Sequence, residues 1–260
     1  MKEELNICML QCDLHWEDAQ KNRRQIEDYL SQVKEADLVL LPEMFSTGFS
    51  VKSTHLAESM DGVTVDWMKM IARKKAAVVC GSLMIKENGN IYNRILWVEP
   101  NGIIKHYDKR HLFGLINEDQ YFTAGTERLL VEYKGWKICP LICYDLRFPV
   151  FSRNDVGYDL LIYVANWPDK RIGAWNALLK ARAIENQAYV VGLNRVGEDG
   201  YKAVYSGHSQ VIDADGDLIS VAPENEVGLV ELTLTKKHLL KLRTRLPFLD
   251  DRDEFELMND

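Results

Sequence analysis

Three side chains of complementary chemistry stand where apolar runs give way to polar turns: the thiol of Cys143, the carboxylate of Glu43 and the ammonium of Lys109. Cys143 closes the run 138–142 and opens the turn Tyr144-Asp145-Leu146-Arg147. Glu43 follows Leu38-Val39-Leu40-Leu41-Pro42, and Lys109 follows Tyr107-Asp108. A strand end can hold a side chain rigidly and still expose it at a sheet edge. A thiol is a poor nucleophile until it loses its proton. Glu43 could take that proton. Lys109 could stabilise the thiolate, or the oxyanion formed when sulfur attacks a carbonyl or nitrile carbon. A papain-type site would use histidine instead, and none of the six histidines has that context. His111 is a rival for the base, but a packed, hydrogen-bonded residue is the favoured reading. Taken singly, the three also read as a loop carboxylate, a solvated cation and a buried thiol.

These residues need elements to carry them. Apolar, β-rich runs predict strands at 5–10, 37–41, 77–85, 90–99, 103–108, 129–133, 136–142, 159–164, 188–194, 210–213, 218–221 and 227–234. Apolar residues at helical spacing predict helices from 17 to about 33, and at 65–75, 174–186 and 236–245. Pro100-Asn101-Gly102, Lys134-Gly135 and Asp215-Gly216 mark hairpins. A purely parallel doubly wound sheet would lack those hairpins. Two mixed sheets packed face to face, with helices outside, fit the order better. One domain over residues 1–260 is expected, because no linker, repeat or low-complexity stretch interrupts it. The acidic end at 249–260 reads as a tail or arm, either solvated or in a dimer contact.

Composition narrows the function. With 47% hydrophobic residues over 260 positions, the chain can bury a substantial core. A net charge of -7 without a basic block argues against nucleic acid, which needs clustered cations to neutralise phosphates. No segment approaches the roughly 20 apolar residues that span a bilayer, and the N-terminal apolar stretch is too short for an export signal. A cytoplasmic location is expected. Five cysteines make an odd count, so a disulfide framework is not expected. Cys8/Cys12 and Cys139/Cys143 lack zinc-type partners, so no metal is expected. A redox pair of Cys139 with Cys143 is disfavoured by strand geometry: even spacing puts both on one face, out of bonding range.

The words around the three residues carry a resemblance. Leu41-Pro42-Glu43-Met44-Phe45-Ser46-Thr47-Gly48-Phe49, Tyr107-Asp108-Lys109-Arg110-His111-Leu112-Phe113 and Ile142-Cys143-Tyr144-Asp145-Leu146-Arg147-Phe148-Pro149 resemble the glutamate, lysine and cysteine blocks of the nitrilase, or carbon–nitrogen hydrolase, superfamily. Ala165-Asn166-Trp167-Pro168, residues 181–187 and Ser206-Gly207-His208-Ser209 extend the likeness over nearly the whole chain, nearest to the bacterial ω-amidase (2-oxoglutaramate amidase) branch. The resemblance implies a four-layer α-β-β-α sandwich with two mixed β-sheets. It also implies a Glu43–Lys109–Cys143 triad, a supporting second glutamate at Glu118, and a homodimer.

A mechanism follows as an expectation. Glu43 accepts the thiol proton as Cys143 attacks the amide carbon. Lys109 and the Tyr144 backbone N–H hold the oxyanion, ammonia leaves, and water activated by Glu43 opens the thioester. No metal or organic cofactor is required. Trp167 could wall the pocket, Arg171 could pair with a substrate carboxylate, and Phe113 could cover the pocket or sit in the core. Arg147 is expected to fix the turn or make an internal salt bridge. Arg182 and Asn186 are expected to support the fold. The leading function is hydrolysis of a small carboxylate-bearing ω-amide. A nitrilase or N-carbamoyl amidase shares the same attack step, and a non-catalytic binding protein is the least favoured.

Overall fold

A computed structural model describes residues 3–258. Fourteen strands and four α-helices follow one another along the described residues. The first half contains β1 (Glu4–Gln11), α1 (Ala19–Ser31), β2 (Leu38–Leu40), α2 (Val63–Lys75), β3 (Val78–Glu87), β4 (Asn90–Val98) and β5 (Ile104–Asp108). The second contains β6 (Val131–Tyr133), β7 (Trp136–Ile142), β8 (Leu160–Val164), α3 (Ile172–Asn186), β9 (Tyr189–Leu193), β10 (Val196–Glu198), β11 (Val204–Ser206), β12 (Gln210–Ile212), β13 (Leu218–Val221), β14 (Gly228–Thr235) and α4 (Lys236–Arg245).

Two six-stranded sheets form, in the orders β14-β1-β2-β3-β4-β5 and β13-β12-β9-β8-β7-β6. Each has a parallel centre, β1-β2-β3 or β7-β8-β9, and antiparallel flanks. Both sheets are therefore mixed, as the sequence pattern predicts. Side chains alternate along a strand, so each sheet has two faces to cover. In the first sheet Leu5, Ile7, Met9, Leu38, Leu40, Ile95 and Trp97 face the core shared with the second sheet. Their neighbours Cys8, Leu10, Val39, Leu41, Leu96 and Val98 pack instead with Ile26 and Leu30 of α1 and Met68 and Ile71 of α2. On the second sheet Trp175 and Leu179 of α3 and Leu239 and Leu242 of α4 join the shared core. The layers are thus helix, sheet, sheet, helix. Each fully buried side chain of this kind contributes roughly 1.5–3 kcal/mol.

Boundaries move for local reasons. α1 begins at Ala19 rather than 17, because the Asp18 carboxylate accepts the Lys21 N–H at 3.0 Å and caps the helix. The hairpin β10–β11 is absent from the sequence reading: its strands have three residues each and pair only with each other. The predicted arm at 249–260 starts inside a single helical turn, Phe248–Asp251, and continues exposed to 258, where the Met258 carbonyl accepts a bond from Arg110 Nη2 at 3.2 Å. Its last two positions lie outside the described residues.

Candidate active site

Four chain segments deliver the site, three of them at the C-terminal ends of strands with parallel partners. Such ends are where open α/β sheets place ligands. Glu43 follows β2, Cys143 follows β7 and Asn166 follows β8, whereas Lys109 follows the antiparallel edge strand β5. The Glu43 turn is pinned to β3: the Met44 N–H donates to Ser82 Oγ at 2.8 Å and the Phe45 N–H to the Ser82 carbonyl at 3.3 Å. A Cβ at Gly81 would stand 2.8 Å from Leu41 Cβ, so this close approach requires glycine.

Cys143 occupies the left-handed region at φ +42°, a strained conformation for a residue with a Cβ. The turn Cys143–Arg147 stabilises it through Asp145. That buried carboxylate accepts the Ile142 N–H at 2.9 Å, the Tyr107 hydroxyl at 2.7 Å and the His111 N–H at 3.1 Å. His111 Nδ1 meets the same carboxylate at 2.8 Å, and its ring stacks on Phe148 at 3.7 Å. His111 is therefore a structural residue that ties the cysteine turn to the lysine segment, and it does not reach the base position. Arg182 donates to the Leu146 carbonyl at 2.6 Å, and Asn186 Oδ1 accepts the Asn154 N–H at 2.9 Å, so both support the fold as expected.

The floor of the site is an ion cluster. Lys109 Nζ lies 3.0 Å from Glu43 Oε1, and 3.0 and 2.9 Å from the two oxygens of Glu118. All three side chains are fully buried. Glu118 is thus brought into the cluster rather than left on a surface loop, and its Oε2 also accepts the Phe113 N–H at 2.6 Å. Burial alone would lower the Lys109 pKa, but Glu118 and Glu43 more than reverse this, and it ends above its usual value. Burial raises the Glu118 pKa above that of an ordinary glutamate, with Glu43 adding to the effect and Lys109 opposing it.

Cys143 Sγ donates a long bond to the Asn166 carbonyl at 3.9 Å. Burial, then the Glu43 charge, push the thiol well above its ordinary pKa against the pull of Lys109. The resting group is therefore a neutral thiol, which would need a base to act as a nucleophile. All five cysteines are free and buried. Burial holds the thiols of Cys8, Cys12, Cys80 and Cys139 up at about 12, as inert core residues.

A cavity of about 680 Å³ opens above this floor. Phe113, Tyr144, Trp167 and Arg171 all line it. Arg171 stands over the Phe113 ring at 5.2 Å. Arg147 departs from expectation. It makes no salt bridge among the described residues; it lies over the Trp167 ring at 5.0 Å and lines the cavity. Arg171 likewise has no carboxylate partner among the described residues. Part of the wall comes from the unforeseen β10–β11 hairpin through Tyr201, Val204 and Tyr205. Asn93, buried against Glu43, escaped the sequence reading, and Asn166, buried against it too, stood there only as part of the matching stretch 165–168, with no role of its own. Asn93 lies inside a strand, with nothing local to mark it.

A family model for carbon-nitrogen hydrolases matches residues 6–241. The chain belongs to the carbon–nitrogen hydrolase family. This hydrolase is 44% identical over 253 residues to an ω-amidase (YafV) of Escherichia coli, covering 97% of this chain and 98% of that one. It is 34% identical to a 2-oxoglutaramate amidase of Bacillus subtilis, over 94% and 96% of the two chains. Its fold matches that of a CN-hydrolase superfamily protein from Xanthomonas campestris with a TM-score of 0.97, 42% identity and coverage of 99% and 100%. That crystal structure holds an arsenic adduct in its active site.

Proposed function

We propose that this carbon–nitrogen hydrolase cleaves the terminal amide of a small carboxylate-bearing ω-amide, of the 2-oxoglutaramate or succinamate type, to acid and ammonia. The observation that carries the reading is one cavity that holds a thiol above a buried Glu–Lys–Glu cluster and, on its wall, two arginines without acid partners among the described residues. The floor supplies acyl-transfer chemistry. The cationic wall suits a substrate with a carboxylate beyond its amide, because charge-assisted bonds from guanidinium to carboxylate are the strong ones. The names of the E. coli and B. subtilis relatives agree with this class.

In this scheme the catalytic residues are Glu43, Lys109 and Cys143. Glu43 takes the thiol proton as Sγ forms a bond to the amide carbon. Negative charge moves to the carbonyl oxygen, where the Lys109 ammonium and the Tyr144 N–H receive it. That N–H is a first-turn amide and has no intrahelical acceptor. The C–N bond breaks, Glu43 returns its proton to the nitrogen, and ammonia leaves a thioester on Cys143. Water, deprotonated by Glu43, then adds to the thioester carbon, and the acid departs as the thiol is restored. Glu118 supports Lys109, and Phe113, Trp167 and Arg171 contact substrate.

We infer further that residues 1–260 work as one domain and that two copies pair through surfaces including the arm, where Phe248, Phe255, Leu257 and Met258 are exposed. Sedimentation of a truncation lacking the arm tests that pairing. Five unpaired thiols suit a reducing, cytoplasmic compartment.

The functional test is ammonia release from 2-oxoglutaramate, succinamate, a small nitrile and an N-carbamoyl amino acid, by wild type and Cys143→Ala. Turnover of the two monoamides by wild type alone is expected. Preference for the nitrile or carbamoyl compound would replace the substrate, and full activity of Cys143→Ala would overturn the mechanism.

A further inference from the structure

The Glu43 carboxylate receives more bonds than the triad accounts for. Its Oε1 accepts from Lys109 Nζ at 3.0 Å and from Asn93 Nδ2 at 2.9 Å. Its Oε2 accepts from the Asn166 backbone N–H at 2.8 Å and from Asn166 Nδ2 at 3.3 Å. Asn166 Nδ2 also donates to the Glu43 backbone carbonyl at 2.7 Å. Partners fix both amide orientations. Asn93 Oδ1 accepts the Ser82 hydroxyl at 2.8 Å, so a flip would face that oxygen to a carboxylate. Asn166 Nδ2 has only acceptors before it.

The two asparagines come from different sheets. Asn93 sits within β4 of the first, and Asn166 follows β8 of the second. Asn166 touches both reacting groups, since its carbonyl is also the Cys143 Sγ acceptor at 3.9 Å. The cluster needs such donors. Two carboxylates and one ammonium, all buried, leave one negative charge in excess. A neutral amide N–H stabilises an ionised carboxylate without adding another charge to bury. Lys109 alone would draw Glu43 by one oxygen and leave the other free to rotate.

We propose that Asn93 and Asn166 are positioning residues that grip one oxygen of Glu43 each, from opposite sheets, and so hold the base in place and aimed at Cys143. This rests on Glu43 serving as the base for Cys143. It makes donation, rather than bulk, the property that matters.

Alanine and aspartate separate those two properties. Asn→Ala removes the donor and leaves a void. Asn→Asp keeps the shape but exchanges the donor for an acceptor when ionised, and regains one O–H donor when protonated. The readouts are the rate of Cys143 alkylation by acrylamide, from mildly acidic to mildly alkaline pH, and kcat and KM for the amide substrate. Circular dichroism and melting report folding. Asn93→Ala is expected to slow alkylation and kcat by about 10- to 100-fold with KM nearly unchanged. Asn93→Asp is expected to be slower still at alkaline pH and to recover partly on acidification. Asn166→Ala, which keeps the backbone donor, is expected to lose about tenfold. If Asn93→Asp fails to fold, Asn166→Ala and Asn166→Asp make the same comparison at the second position.

Aspartate outperforming alanine at alkaline pH would show that bulk is what counts and would overturn the proposal, as would wild-type alkylation rates in folded variants. Alkylation needs no amide substrate, so it isolates this proposal. Slow alkylation in the variants while no amide turns over would remove the substrate assignment and leave the clamp standing.

Discussion

The floor of the cavity and its rim handle charge in opposite ways. On the floor, Glu43, Glu118 and Lys109 are fully buried, and every charged atom among them has a protein partner. At the rim, Arg147 and Arg171 rest on aromatic faces and form no ion pair among the described residues. Buried charge is tolerable only when it is paired, so the floor has no spare cation with which to hold a substrate carboxylate. Rim charge is hydrated and faces no such requirement, so it remains available to one. In the proposed scheme the floor carries the reaction and the rim selects what reacts.

The largest expected effect comes from unbalancing the floor. Lys109→Met leaves two buried carboxylates with no cation between them. Loss of about 3–5 kcal/mol of stability and of all turnover is expected, read by denaturant unfolding and ammonia release. A variant as stable as wild type would mean that the floor does not depend on its charge balance.

Glu118→Gln sharpens the same point from the other side. It removes the excess negative charge, keeps the shape and loosens the hold on Lys109. Turnover is expected to fall by about 10²–10³-fold, a typical loss for disturbed electrostatic preorganisation, while stability at neutral pH does not fall. The sign follows from the raised Glu118 pKa. A carboxyl that binds its proton more tightly in the folded protein favours folding below its unfolded pKa, and that advantage is lost as pH rises through the folded value. Wild type should therefore gain on Glu118→Gln as the solution is acidified. Melting curves at several pH values check this, and a gap that widens against wild type on acidification would reject it.

The same contrast explains what the sequence made legible. Glu43, Lys109 and Cys143 each end an apolar run, so strand periodicity alone marks their places, and the surrounding words connect them. Glu118 needed the family likeness, because a glutamate in a polar loop carries no sign of burial. Asn93 was invisible: it faces the cluster from mid-strand, and only the pairing of β4 with β3 beside Ser82 shows what it meets. The β10–β11 hairpin was missed because its strands are too short to show a period of two. Arg147 misled for a related reason. Its position after the cysteine suggested an internal salt bridge, but Asp145, the carboxylate in that turn, is already occupied by Tyr107, His111 and Ile142.

At the rim, Arg147→Gln and Arg171→Gln should raise KM for carboxylate-bearing amides by about 10- to 100-fold each, the worth of a hydrogen bond to a charged group. A neutral amide such as propionamide should be handled as by wild type. Equal losses on charged and neutral amides would move the arginine concerned from substrate selection to support of the floor.

The smallest effect is expected at Tyr201, on the tip between β10 and β11. Its ring is half exposed and meets Trp16 edge-on at 5.0 Å. The turn beneath it is held independently, because Asp199 accepts the Tyr201 and Ala203 N–H groups at 2.8 and 2.9 Å and the Tyr205 hydroxyl at 2.7 Å. Tyr201→Ala therefore removes a ring from the wall without releasing the hairpin. An aromatic contact of this kind is worth about 0.5–1.5 kcal/mol, so KM should rise by roughly two- to tenfold with kcat unchanged. Alkylation of Cys143 should proceed as in wild type, since no bond from this tip reaches Glu43 or Lys109. A fall in kcat at constant KM would show that the rim is mechanically coupled to the floor, and the division of labour between them would have to be abandoned.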